Sequence, residues 1–394
     1  MKSTCLKPLL NIFLILVIAG LFEACKKQPI AINHNSGGTN GGGNDSTVMV
    51  DTLPSFYSPA GVAVDAAGNI YVADYGNNLI RKITSGRLVS TLAGSGNQGQ
   101  INAAGLLASF NQPTGIAVDA AGNVYVGDAG NNRIRLVTPA GVVTTLAGSD
   151  STGYTDGPAA TAAFFHPEGV SVDASGNVYV ADSGNGMIRK VTPNGTVSTF
   201  AGNSIGNTPA NIFSDPTGVA TDAAGNVYVA NFIDNNILKV SAAGDVSTFA
   251  GTGATGADNG AGSTATFSFP NSVAIDAANN LYVADGVNNL IRKITPDGTV
   301  STLAGSGIAG AADSTGTKAS FDGPAGLAVD ATGNVYVADS NNNLIRKITP
   351  EGVVTTVAGS GKSGAKNGQA AARYNQKILK AVVKKKLPVF YKRK

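Results

Sequence analysis

The chain of 394 residues has no tryptophan, two cysteines, two histidines and only three glutamates, and charged residues make up 13% of it. Each shortage excludes a class. Cys5 and Cys25 both lie in the first 25 residues, so the rest of the chain has no disulfide framework and no thiolate metal site. Few charges and few long helix-favouring side chains argue against helical bundles and coiled coils. What is abundant is glycine, at 51 residues, together with Asn, Asp, Val and Thr. That composition describes many short strands joined by tight turns. The formal charge of +3 conceals opposed regions, because residues 28–376 hold 16 basic and 24 acidic side chains. An acidic body disfavours nucleic acid, whose phosphates need clustered positive charge.

Lys2 and Lys7 precede an apolar run from Leu9 to Phe22, too short and too interrupted by Asn11 for a membrane span. This is the layout of a signal peptide, expected over residues 1–24. Leu21-Phe22-Glu23-Ala24-Cys25 resembles a bacterial lipobox, with Glu23 a departure from the usual small residue. The resemblance implies lipidation at Cys25, hence a membrane-anchored lipoprotein of the outer membrane and cell envelope, facing the periplasm or the cell surface. Residues 25–47 are polar and rich in Gly and Asn and read as a flexible linker. Residues 375–394 form a basic tail that reads as an eroded or artefactual end.

Between these ends, a unit of about 54 residues recurs six times, anchored at Gly61, Gly115, Gly169, Gly218, Ser272 and Gly326. Repeats fall near 57–110, 111–165, 166–213, 214–267, 268–321 and 322–374, within an expected domain of 48–371. Each carries Asp-x-x-Gly-Asn, as in Asp65-Ala66-Ala67-Gly68-Asn69, where Asp starts a turn and Gly supplies its left-handed residue. The fifth repeat replaces that Gly with Asn279, the residue that best tolerates the same conformation. Ile70-Tyr71-Val72-Ala73 is apolar on both faces, as a strand between two neighbouring sheets must be. The expectation is an all-β, six-bladed β-propeller with four-stranded blades. A seven-bladed ring with a degenerate last blade is the alternative, because Ala372-Arg373-Tyr374-Asn375-Gln376 echoes Ala108-Ser109-Phe110-Asn111-Gln112. The unit as a whole, with its Pro, its Gly-Val/Ile-x-Val-Asp, its Tyr-Val-Ala-Asp and its Asn-Asn-x-Ile-Arg-Lys, resembles the NHL repeat. The resemblance implies a propeller fold but leaves function open, since the family includes peptide-amidating lyases, RNA binders and receptor-type sensor domains.

Comparison among repeats separates scaffold from candidate site. Asp74, Asp128, Asp182, Asp285 and Asp339 recur on the second strand, and Arg81, Arg135, Arg189, Arg292 and Arg346 on the third. In the fourth repeat both are lost together, as Asn231 and Leu238, which points to structural ion pairs across each hairpin. The positions flanking the Pro vary instead, and their place in a propeller predicts a binding face of Tyr75, Gln112, Thr114, His166, Glu168, Asp215, Thr217, Phe232, Phe269 and Asn271 around one mouth of the central channel. If the protein is an enzyme, His166 and Glu168 are its catalytic candidates, in a metal-assisted lyase or lactonase-like site. Glu168, Asp215 and Asn271 are weak candidates for holding a divalent cation such as Ca²⁺; otherwise no cofactor is expected. The reading favoured is a non-enzymatic binding or scaffold propeller for a protein, peptide or glycan of the cell envelope.

Overall fold

The computed structural model describes residues 53–149, 151–202 and 212–370. The signal peptide, Cys25, the linker and the basic tail lie outside the described residues. Six antiparallel sheets each meander outward from an innermost strand. The first blade contains Pro59–Val64, Ile70–Asp74, Leu79–Ile83 and Leu88–Ala93. Blades two to six begin with Pro113–Val118, Pro167–Val172, Pro216–Thr221, Pro270–Ile275 and Pro324–Val329. The fold is a six-bladed β-propeller.

Second strands are buried along their whole length, as in Ile70–Asp74. Their two apolar faces belong to two different cores. Val72 packs with Tyr336 and Ala338 of blade six, whereas Tyr71 and Ala73 pack with Val124 and Val126 of blade two. Each neighbouring pair of blades encloses such a cluster, so no blade can bury its surface alone. Innermost strands approach so closely that a Cβ on Gly61 would lie 2.3 Å from the Thr114 carbonyl oxygen. This contact explains the glycine at the repeat anchor.

A buried ion pair organises each hairpin. Asp74–Arg81, Asp128–Arg135, Asp182–Arg189, Asp285–Arg292 and Asp339–Arg346 meet at 2.6–2.8 Å, with every side chain excluded from solvent. The carboxylate and both terminal guanidinium nitrogens are hydrogen-bonded, while the buried Nε–H of each of the five arginines has no partner among the described residues. Asp74 accepts from the Tyr57 backbone N–H and from the Asn77 amide, while Arg81 also donates to Ser55 O, Lys366 O and Asn367 Oδ1. The guanidinium lies over the Phe56 ring at 5.3 Å, and each of the other four arginines covers an equivalent Phe. Such pairing is what permits a charge in a dry interior.

Blade four shows how the device is removed. Asn231 accepts from the Ser214 N–H through Oδ1 and donates through Nδ2 to Ile212 O, taking over the carbonyl that the arginine serves elsewhere. Leu238 fills the vacated volume beside Phe213. The Asn that normally donates to the carboxylate becomes Asp234, which accepts from Asn231.

Among the described residues, the Gly-rich connection after a fourth strand bonds to the blade that follows it. Gly105 N–H donates to Gly141 O, and Arg135 reaches Ile101 O and Asn102 Oδ1. Blade one receives this service from the other end of the chain. Gly368–Gln369 pairs with Leu88–Ala93, Phe56 bridges Ser363, and Ala370 joins the core between blades six and one. Phe56 occupies the aromatic slot of blade one, as Phe110 does in blade two. The ring is therefore complete at six, and the seven-bladed alternative is set aside.

Arg135→Leu should cost about 3–5 kcal/mol, because it leaves a buried carboxylate without its cation. Adding Asp128→Asn should recover part of that loss, as the amide of Asn231 does naturally. Urea denaturation of the two single variants and the double variant measures the coupling; strictly additive losses would contradict a pair that acts as one unit.

Candidate functional site

The chain enters each innermost strand through a residue held in left-handed backbone. Ser58, Gln112, His166, Asp215, Phe269 and Gly323 all have φ between 46° and 61°. Five of the six carry a side chain that disfavours this region. Compensation comes from the preceding blade, where Asn78 Oδ1 accepts the Gln112 N–H at 2.9 Å. Asn132 holds His166, Asn235 holds Phe269, Asn289 holds Gly323, and Asn343 holds Ser58 across the ring closure. These asparagines are themselves left-handed. At the third blade Gly186 replaces the asparagine, and the Ser183 hydroxyl instead bonds the Asp215 carboxylate.

The residue after each Pro lines one mouth of the channel, as does Gly323, whereas Ser58, Gln112, His166, Asp215 and Phe269 before the Pro stand outside its lining. The mouth is a cavity of about 360 Å³ whose polar rim contains Thr114, Glu168, Thr217 and Asn271. Below them Val62, Ile116, Val170, Val219, Val273 and Leu327 form an apolar constriction. All ten candidate face residues, Tyr75, Gln112, Thr114, His166, Glu168, Asp215, Thr217, Phe232, Phe269 and Asn271, are half-buried. The structure brings several together. His166 Nδ1 lies 3.1 Å from Glu168 Oε1, and the Phe232 and Phe269 rings meet with centroids 4.9 Å apart. The hydrogen bond to Glu168, with the negative charges of Glu168 and Asp215, raises the His166 pKa above its ordinary value against the opposing effect of burial.

The three weak metal candidates are directed elsewhere. Glu168 faces His166, Asp215 bonds Ser183, and Asn271 donates its amide to Pro324 O at 3.0 Å. Among the described residues no group of three or more His, Cys, Asp and Glu is placed to hold a metal ion. The proposed catalytic pair exists as a contact, and among the described residues lining the cavity Glu168 is the one titratable side chain.

Sequence reasoning missed three features. One is the Asn latch between blades, whose signal is the Asn just before the third strand, as at Asn78, Asn132 and Asn235, with Gly186 in its place in the third blade. Another is the Ser183–Asp215 contact. The third is the exposure on this face of Tyr57, Phe165, Ile233 and Val287, which flank the mouth from the loops.

The model of the NHL repeat matches residues 56–83, 110–135, 164–190 and 321–348. Those four segments of the chain are NHL repeats. It is 29% identical over 352 residues to NHL repeat-containing protein 2 of Bos taurus, covering 81% of this chain and 42% of that protein. The chain spans between a quarter and less than half of the length of the curated relatives first matched. Among solved structures it resembles a protein of unknown function from Bacteroides thetaiotaomicron, with a TM-score of 0.58 and 21% identity, covering 74% of this chain and 69% of that one. It also resembles an auxiliary nutrient binding protein from Bacteroides ovatus, with a TM-score of 0.57 and 17% identity over 78% of this chain and 72% of that one. Those likenesses establish the fold.

A ¹H–¹⁵N NMR titration of the full chain should give His166 a midpoint above that of an ordinary histidine. Glu168→Gln should bring it down. A raised folded-state pKa means that the protonated imidazole favours the folded state at low pH, and this contribution fades as pH rises through that pKa. An unchanged midpoint in Glu168→Gln would contradict the Nδ1–Oε1 bond.

Proposed function

We propose that the protein is a binding propeller that presents the face around the Glu168 mouth to a protein, peptide or glycan of the cell envelope. The observation that carries this reading is a division of labour within the repeat. Its recurring polar residues pair with one another inside the scaffold, whereas the positions flanking each Pro vary among blades, and those just after it line a cavity. Variation on a rigid frame is the arrangement expected of a recognition surface. A structure of similar fold being an auxiliary nutrient binding protein supports the same reading. The signal-like segment 1–24 and the lipobox-like Cys25 support a place in the outer membrane as a lipid-anchored protein, with the propeller facing the periplasm or the cell surface.

A photo-crosslinking residue at Phe232 or Phe269 should trap a specific envelope component, and one at Ala67 in the exposed turn on the opposite side should not. Equal capture from both positions would count against a directed face. Cys25→Ser should abolish incorporation of labelled fatty acid; persistent labelling would place the anchor elsewhere.

A further inference from the structure

The hydrogen-bonding capacity of the rim specifies the ligand more closely than its shape does. Thr114 and Thr217 each have a single hydroxyl hydrogen, and the structure directs both at backbone carbonyls. Thr114 donates toward Gly127 O or Glu168 O at 3.3 Å, and Thr217 toward Pro270 O at 3.2 Å. What these two side chains show the cavity is therefore lone pairs only. Between them in ring order stands Glu168, an acceptor-only carboxylate whose Oε1 meets His166 and whose Oε2 makes no hydrogen bond among the described residues. Blades two, three and four thus present an arc of acceptors, which carries one negative charge while the His166 imidazole bonded to Glu168 is neutral. Glu168 is the only charged side chain lining the cavity, and the apolar constriction below it strengthens electrostatic contacts made there.

Resting on the binding-face reading above, we propose that this mouth takes a primary ammonium group, seated on Glu168 and flanked by Thr114 and Thr217. An ammonium offers three hydrogen-bond donors, no acceptor and one positive charge, which is the complement of this arc. A divalent cation fits less well. Calcium takes six to eight oxygen ligands, commonly from several carboxylates, whereas the cavity contains one and no cluster of three acidic or histidine groups occurs among the described residues. A neutral sugar hydroxyl has no need of the charge. The cavity of about 360 Å³ accommodates a lysine side chain or a single amino sugar, and the two share the chemistry that the arc recognises.

Calorimetric titration of the full chain distinguishes these cases. The probes are Nα-acetyl-lysine methylamide and its Nε-acetylated counterpart, glucosamine and N-acetylglucosamine, and CaCl₂. At least one free amine should bind saturably, its acetylated partner should bind roughly tenfold or more weakly, and Glu168→Gln should lose a similar factor while still unfolding in one cooperative transition. Which amine binds identifies the source as peptide or glycan. Equal binding of amine and acetylated forms, binding unaffected by Glu168→Gln, or Glu168-dependent binding of Ca²⁺ in place of either amine would overturn the ammonium assignment. So would the absence of saturable binding by both amines. A neutral probe that binds wild type and Glu168→Gln alike would overturn it while leaving the binding face in place. Failure of the face itself would show instead as loss of directed crosslinking from Phe232 and Phe269.

Discussion

A guanidinium buried between two stretches of backbone is the contact on which this ring depends. In five blades it pairs with the second-strand aspartate, covers a phenylalanine and binds the connection that arrives from the neighbouring blade. The connection is thereby fixed to the following sheet, and the next innermost strand starts in a defined place. At Arg81 the same contact joins the two ends of the propeller, because its partners Ser55 and Lys366 come from opposite ends of the described chain. Buried ion pairs are weak evidence for stability in general, since desolvation offsets much of the attraction. Here their value lies in position, and blade four shows that an amide and a leucine can keep the same geometry without charge.

The second consequence concerns the face. Asparagines in left-handed backbone reach from one blade to the next and hold the residue before five of the six Pro in left-handed backbone. The scaffold can then carry Ser, Gln, His, Phe or Gly at that position without altering the ring. Thr114 and Thr217 extend this logic two residues further, using their hydroxyl hydrogens for the scaffold and leaving their lone pairs to the cavity. Structure and recognition share the same side chains there, which is why the mouth has a defined hydrogen-bonding polarity.

Much of this was legible from the sequence because repetition supplies internal controls. The joint loss at Asn231 and Leu238 pointed to the Asp–Arg contacts, and the Pro-flanking variation pointed to positions of which the structure gathers those just after the Pro at one mouth. The blade number was open because Tyr374 echoes Phe110, and spacing alone does not show that Phe56 already occupies the corresponding slot. The Asn latch was illegible for a related reason. An Asn-Asn in a turn reads as ordinary turn chemistry until the backbone reveals an acceptor facing the next blade. The Phe232–Phe269 contact joins two repeats, and no pattern within one repeat encodes it.

The central claim is that blades become stable only as a closed ring, clasped between residues 53–56 and 363–370. Hydrogen–deuterium exchange, comparing the full chain with one ending after Ser360, tests it most directly. The account predicts that removing the clasp lowers protection in the innermost strands of all six blades, because each depends on two covered faces. Loss confined to residues 53–56 and the outer strand Leu88–Ala93, with the other blades protected as before, would contradict it.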